Sequence, residues 1–471
     1  MPAGDALHEA CGIVGIYEHD ADVARHAFFG LYALQHRGQE SAGIAVSDGG
    51  TIVMHREMGL ISQIFDEEIL LKLKGYIAVG HTRYSTTGSS IVVNAQPLLE
   101  RTEFGELALA HNGNLTNVEE LRAQLPPETV LQATSDSEIF AKLLILMPGA
   151  TLIEKIRALM KTAEGAYSII MSTERVLYGF RDPLGVRPLC YGTFEDGGVM
   201  IASESCALAT VGATYVRELE PGEILWVDAD GIHVDQVPKP ATTALCMFEY
   251  IYFARPDSVL NDRSLYMARV EMGRQLAREH PVDADVVMAI PDSAVPGGIG
   301  FSQESGLPYV EGLIKNRYIG RTFISPNQKM RRQGVQLKFN PIVENLRDRR
   351  VVVVDDSIVR GTTTPRIVKL LRDSGAREVH VRITSPPIKH PCYLGVDMAT
   401  YDELIAANLT IPEICEAIGA DSLGYLSEEG LVRAVARPRE EMCLGCLTGR
   451  YPQKNGTPVA RELTASGRLG T

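Results

Sequence analysis

The chain of 471 residues is 45% apolar and 22% charged, with a formal net charge of −13 at neutral pH. That length supports two or three domains with sizeable cores, and no apolar run nears the roughly eighteen residues a membrane span needs. The acidic balance argues against general nucleic-acid binding, so any basic island is expected to serve a local anionic ligand. Met1 to Ala10 carries Asp5 and Glu9 and lacks the basic start and apolar centre of a secretory signal, which predicts a cytoplasmic protein. There, eight cysteines point to thiol chemistry or metal ligation more than to disulfides.

Cys11 opens the apolar, strand-like run Gly12-Ile13-Val14-Gly15-Ile16. A thiol needs a base before it can attack. Removal of the preceding residues would give Cys11 its own, an α-amino group of pKa about 7.7 to 8.0; alone, Cys11 also reads as a small buried thiol. Val23, Ala27, Leu31 and Leu34 lie on one face of a helix predicted over 22–36, which ends in His36-Arg37-Gly38-Gln39-Glu40. Segments 43–46 and 51–54 read as hairpin partners across Asp48-Gly49-Gly50. A strand over 77–80 runs into His81-Thr82-Arg83-Tyr84 and a loop closed by Gly88, suited to offering Arg83 to a carboxylate through two parallel hydrogen bonds.

Segment 107–110 reads as a strand ending in His111-Asn112-Gly113-Asn114. The Asn-Gly pair marks a tight turn or an oxyanion hole made of the Asn112 amide and the Gly113 N–H. Thr134-Ser135-Asp136-Ser137-Glu138 precedes a helix predicted over 139–146 and is locally a cap with a capping-box acid. Apolar segments at 166–171, 176–180 and 198–203 follow, and 221–227 reads as the closing strand. Taken in order, these motifs resemble the glutaminase domain of the class II, N-terminal-nucleophile amidotransferases over residues 11–235. The resemblance implies an αββα sandwich, Cys11 as nucleophile towards the side-chain amide of glutamine, and Asn112 with Gly113 as oxyanion hole. It also implies that Arg83 holds the α-carboxylate and Asp136 the α-amino group of glutamine. Residues 1–10 would then be a short leader, removed to expose Cys11.

Val237-Pro238-Lys239-Pro240 reads as a linker, and from residue 236 to 471 strands and helices alternate as in a parallel α/β sheet. Strands are predicted over 286–290, 351–354 and 378–383, with helices over 298–304 and 365–373. Val351 to Val354 make a buried central strand. Asp355 and Asp356 at its end suit ribose hydroxyls or hydrated Mg²⁺, and Gly361-Thr362-Thr363-Thr364 suits a phosphate at a helix start. This stretch, with Ser357, resembles the phosphoribosylpyrophosphate signature of type I phosphoribosyltransferases. Pro291-Asp292-Ser293 would lie at the pyrophosphate, with Ser293 near the metal. Lys315 to Lys338 holds seven Lys and Arg and no acid, as a lid over pyrophosphate would.

Cys443 and Cys446 form a Cys-x-x-Cys pair, with Cys246 and Cys392 as remote partners; by spacing alone they suit zinc, an iron-sulfur cluster, a redox dithiol or no ligand. The two halves together resemble the glutamine phosphoribosylpyrophosphate amidotransferases, and Ser385 to Cys392 with Cys443 and Cys446 resembles their iron-sulfur subgroup. This resemblance implies a [4Fe-4S] cluster on Cys246, Cys392, Cys443 and Cys446, and Mg²⁺ at Ser293, Asp355 and Asp356. It further implies a homotetramer inhibited by purine nucleotides, which makes 5-phosphoribosylamine for purine synthesis using ammonia channelled from Cys11. Cys190, Cys206 and Cys415 are read as core thiols.

Overall fold

The computed structural model describes residues 11–19, 21–84, 90–240, 242–316, 339–398, 400–452 and 459–460. The expected leader, the loop over 85–88 and the basic island over 317–338 lie outside the described residues.

The first half is built from thirteen strands in two antiparallel sheets. In chain order they are β1 (Gly12–Tyr17), β2 (Ser41–Ser47), β3 (Ile52–Met58), β4 (Ile77–Arg83), β5 (Leu98–Thr102), β6 (Gly105–Leu115) and β7 (Gly165–Ser172). There follow β8 (Leu177–Arg181), β9 (Cys190–Thr193), β10 (Val199–Ala202), β11 (Thr214–Glu218), β12 (Glu223–Asp228) and β13 (Gly231–Gln236). One sheet has the order β11-β9-β10-β1-β4-β2-β3, the other β13-β12-β8-β7-β6-β5.

Side chains alternate faces along a strand, and β1 shows the result. Ile13 and Tyr17 pack between the sheets with Ile170, Leu177, Ile201 and Leu225, whereas Val14 and Ile16 pack outward with Leu31 and Leu34 of the helical layer. Gly15 has no side chain because a Cβ there would sit 2.5 Å from Ile170 of the facing sheet. Helices Asp136–Leu146 and Leu152–Thr162 cover the outer face of the second sheet, giving the αββα sandwich.

Three local expectations are corrected. Strand β6 does not end at Ala110: Asn112 and Gly113 are registered against Ser168 and Tyr167 of β7, so ladder pairing overrides the turn preference of Asn-Gly. Segment 221–227 is not the closing strand, because β12 pairs with β13; β13 is half-exposed along its length, and its polar alternation gave a weak signal. The helix expected over 22–36 spans Val23–Ala33 and gives way to a turn before Gly38, which lies against the Thr82 backbone.

In the second half, strands Val286–Ala289, Arg350–Asp355, Glu378–Ile383 and Ser422–Tyr425 form a parallel sheet in that order. Val351 to Val354 are buried at its centre. Helix Val295–Ser305 begins earlier than expected and packs tightly on helix Leu265–Glu279, where a Cβ at Gly273 would meet the Gly297 carbonyl at 1.9 Å. The core of this half includes Ala166, Leu184 and Val186 from the sandwich. After the linker, Leu245–Cys246 pairs in parallel with Met442–Cys443, which brings both ends of the second half to the seam. Among the described residues no helix is long and apolar enough to cross a membrane.

Candidate functional site

Cys11 immediately precedes β1, whose first residue, Gly12, lies opposite Thr82 of β4. Its thiol donates to the Tyr84 carbonyl at 3.5 Å. Burial pushes the thiol up from its ordinary value; the Tyr84 bond and the Arg83 charge oppose this, while Glu40 and Asp136 add to it. One thiol therefore feels Arg83, Asp136 and Glu40 at once, although they come from a strand end, a helix start and a turn. A neutral thiol in this setting needs a base to become a nucleophile.

Arg83 ends β4 and is almost fully buried, its Nη1 lying 3.9 Å from Glu40 Oε2. Asp136, the first residue of its helix, accepts the Leu115 N–H at 2.9 Å through Oδ2. The cap expected from Glu138 takes another form: its carboxylate accepts the Gln132 and Ala133 N–H groups. His81 is buried with Nε2 3.2 Å from the His111 carbonyl, and burial drives its pKa down to about 3, assisted by the Arg83 charge. It is a neutral wall of the site at physiological pH.

Asn112 shares its strand face with Ala110, which packs between the sheets. It is fully buried, and neither its amide nitrogen nor its amide oxygen has a hydrogen-bond partner. An orphaned buried amide is costly, and it is what an oxyanion hole requires before substrate arrives. Gly113 beside it has φ +154°, and a Cβ there would lie 1.9 Å from the Ala166 oxygen. Only glycine fits.

In the second half, Asp355 ends the central strand and its Oδ1 accepts the Asp356 N–H at 2.9 Å. Asp356 is buried and accepts Ser293 Oγ–H at 2.5 Å and Ser357 Oγ–H at 2.8 Å. Burial pushes this carboxyl up, opposed by those two hydroxyls and by Arg269. Gly361, at φ +70°, precedes Thr362 and Thr363, the latter immediately before helix Thr364–Asp373. Lys315, the start of the basic island, pairs with Asp292 at 2.5 Å. Gly297 and Gly298 serve helix packing, which leaves Ser293 as the polar side chain that this segment directs at Asp356.

The four cysteines come from segments that the fold places side by side. Cys246 and Cys443 are register partners, and the Lys389 and His390 N–H groups both reach the Cys446 carbonyl at 3.0 Å, bringing the Cys392 segment alongside. Burial raises the thiol pKa of Cys246 to about 11 and raises those of Cys443 and Cys446; the charge of Cys392 adds to all three. All remain free of disulfides. Among the described residues, no group of three or more His, Cys, Asp or Glu converges to hold a metal ion. Cys190 and Cys206 are buried as core thiols, and Cys415 is partly exposed.

Glu40 is one residue that sequence reasoning passed over; it lay within a quoted motif, but nothing local marked it. A second omission is a buried charge network at the seam. Arg37 donates Nε to Glu204 and Nη2 to Glu249, 212 positions away, and Arg187 reaches the other Glu249 oxygen at 3.3 Å. A third is Asp397, 4.0 Å from Arg360 and within the field of Glu40. Through it the turn beside Cys11 lies within electrostatic reach of the loop after Asp356.

Residues 81–210 match the glutamine amidotransferase domain family. The chain is 50% identical to an amidophosphoribosyltransferase of Synechococcus elongatus over 95% of this chain and 92% of that one. It is 49% identical to one from Methanocaldococcus jannaschii, over 94% and 97%. A solved glutamine phosphoribosylpyrophosphate amidotransferase from B. subtilis, complexed with ADP and GMP, superposes with a TM-score of 0.89 at 44% identity, covering 94% of this chain and 98% of that one. A structure described as the allosteric regulatory enzyme of purine biosynthesis has the same TM-score at 45% identity, covering 94% and 96%. Matched in sequence and in fold over almost its whole length, the chain belongs to the amidophosphoribosyltransferase family.

Proposed function

We propose that this chain converts glutamine, water and phosphoribosylpyrophosphate into glutamate, 5-phosphoribosylamine and pyrophosphate. The observation that carries the reading is the unpartnered, fully buried Asn112 amide beside Gly113, in a sandwich where Cys11 feels both Arg83 and Asp136. In the first step Cys11 attacks the amide carbon of glutamine, Asn112 and Gly113 bind the oxyanion, ammonia leaves, and water then hydrolyses the resulting glutamyl thioester to release glutamate and restore the thiol. Arg83 and Asp136 hold the α-carboxylate and α-ammonium, which directs the amide to the thiol. In the second step ammonia bonds to C1 of the ribose as pyrophosphate departs, with Asp355 and Asp356 holding the ribose and Gly361, Thr362 and Thr363 its 5-phosphate. Ammonia released at Cys11 passes within the protein to the second site.

Processing after Ala10 would give Cys11 its α-amino base. Mg²⁺ keeps several waters and takes few protein ligands, and the desolvated Asp356, with Asp355 and Ser293, suits it; when bound, it would supply charge neutralisation to the leaving pyrophosphate. Cys246, Cys392, Cys443 and Cys446 suit a [4Fe-4S] cluster. Cys246, Cys443 and Cys446 are buried and Cys392 is partly so, which keeps the four thiols largely out of water. A homotetramer under purine-nucleotide control completes the reading; the B. subtilis structure with ADP and GMP supports the latter.

The test is pyrophosphate release from phosphoribosylpyrophosphate and Mg²⁺ with amide-¹⁵N glutamine. Incorporation of ¹⁵N into phosphoribosylamine is expected, and Cys11→Ala should lose the glutamine-driven reaction while keeping the ammonia-driven one. Equal loss of both would refute the division of labour. A mass beginning at Cys11 tests the leader, and iron and sulfide analysis tests the cluster.

A further inference from the structure

Arg187 is not among the residues assigned to either reaction, yet it is fully buried at the seam where the four cysteines meet. Its backbone belongs to the sandwich: its carbonyl accepts Ser168 Oγ–H at 3.2 Å and Arg181 Nε–H at 2.6 Å. The neighbouring Val186 carbonyl accepts the Cys246 N–H at 3.1 Å. From this anchor the guanidinium donates Nη2–H to the Leu394 carbonyl at 2.9 Å, and the Leu394 N–H in turn donates to Cys392 Sγ at 3.3 Å. Nη1 meets Glu249, three residues beyond Cys246, at 3.3 Å.

Two features of Arg187 remain unexplained by packing. Its Nε–H is buried and has no acceptor, although a guanidinium N–H left unpaired in a protein interior is costly. It is also a buried cation held between the Cys246 segment, whose N–H is bound by the adjacent Val186 carbonyl, and the Cys392 loop, which it reaches through Leu394. A spare donor and a fixed cation beside thiolates are what tune an iron-sulfur cluster from outside its ligand set.

We propose that Arg187 is a positioning residue for the cluster site, donating Nε–H to its sulfur atoms, compensating its negative charge and fixing the Cys392 loop through Leu394. This rests on the assignment of Cys246, Cys392, Cys443 and Cys446 as cluster ligands. Because Glu249 also binds Arg37, whose neighbour Gly38 accepts Thr82 Oγ–H at 2.7 Å, the same guanidinium ties the cluster to the turn beside Cys11.

The test is Arg187→Gln in the full-length, anaerobically purified protein, read by iron release to a chelator and by the midpoint potential of the cluster. Iron release is expected to be roughly tenfold faster, and the potential more negative because a cation that stabilises the added electron is gone. Wild-type values for both in a folded variant would overturn the proposal. Should Arg187→Gln be insoluble, Arg187→Lys decides: it retains the charge and so the potential, but lacks the fork and the Nε–H, and its iron release should still be roughly tenfold faster. A wild-type release rate would overturn the proposal. An iron-free wild-type protein would overturn the cluster reading itself, before any substitution is made.

Discussion

Ser293 and Asp356, 63 positions apart, are joined by a 2.5 Å hydrogen bond between the ends of adjacent parallel strands. The serine hydroxyl helps keep a desolvated carboxylate ionised where a phosphoribosyl group and its metal would bind.

A buried carboxylate with a raised pKa costs the unliganded protein stability above that pKa, because the folded state binds its proton more tightly than the unfolded state does. Asp356→Asn should therefore raise the melting temperature of the unliganded protein, while pyrophosphate release falls about 10²-fold or more. Calorimetry beside an assay with ammonia as nitrogen donor checks both arms.

Asn112 makes the opposite trade from most buried polar residues. Its amide has no partner to lose, so Asn112→Ala should leave stability equal or slightly higher, within about 1 kcal/mol. The kcat for glutamine hydrolysis should drop about 10² to 10³-fold with a small change in KM. A large fall in thermal stability would contradict this account.

For Arg83, Lys is not a conservative replacement, since one ammonium cannot make two parallel bonds to a carboxylate. Arg83→Lys should raise KM for glutamine about 10 to 100-fold, corresponding to roughly 1.5 to 3 kcal/mol for a charged hydrogen bond. Ammonia-dependent synthesis should be unaffected, and steady-state kinetics with the two nitrogen donors separate these outcomes.

His81 gives stability a pH dependence of defined sign. Burial lowers its folded pKa from 6.5 to about 3, so between those values the unfolded state binds the extra proton. Its contribution is complete above about pH 6.5 and is lost progressively as pH falls towards 3. His81→Gln should flatten the stability profile in that window, measured by urea denaturation at stepped pH.

Much of both sites was legible because each motif is a strand end and the loop it enters. Cys11-Gly12, Arg83 and Asp355-Asp356 sit where an apolar run stops, and period-two burial places them without knowledge of the partner strand. Asn112-Gly113 shows the limit of that logic. Locally it reads as a turn, and only pairing with Tyr167 and Ser168 makes it mid-strand.

By itself the sequence determined the two-part architecture and the strand ends that carry the motifs, since strand periodicity and contiguous motifs are properties of short segments; the roles of Cys11, its neighbours and the four cysteines followed from the resemblance of those motifs to a known family. Tertiary structure alone decided what lies at the seam. The Arg37–Glu249–Arg187 network joins residues far apart in the chain. Charges there are held by burial and by one another, and no local spacing encodes them. Cys11 thus owes its position to its own strand, and its link to the second half to residues hundreds of positions away.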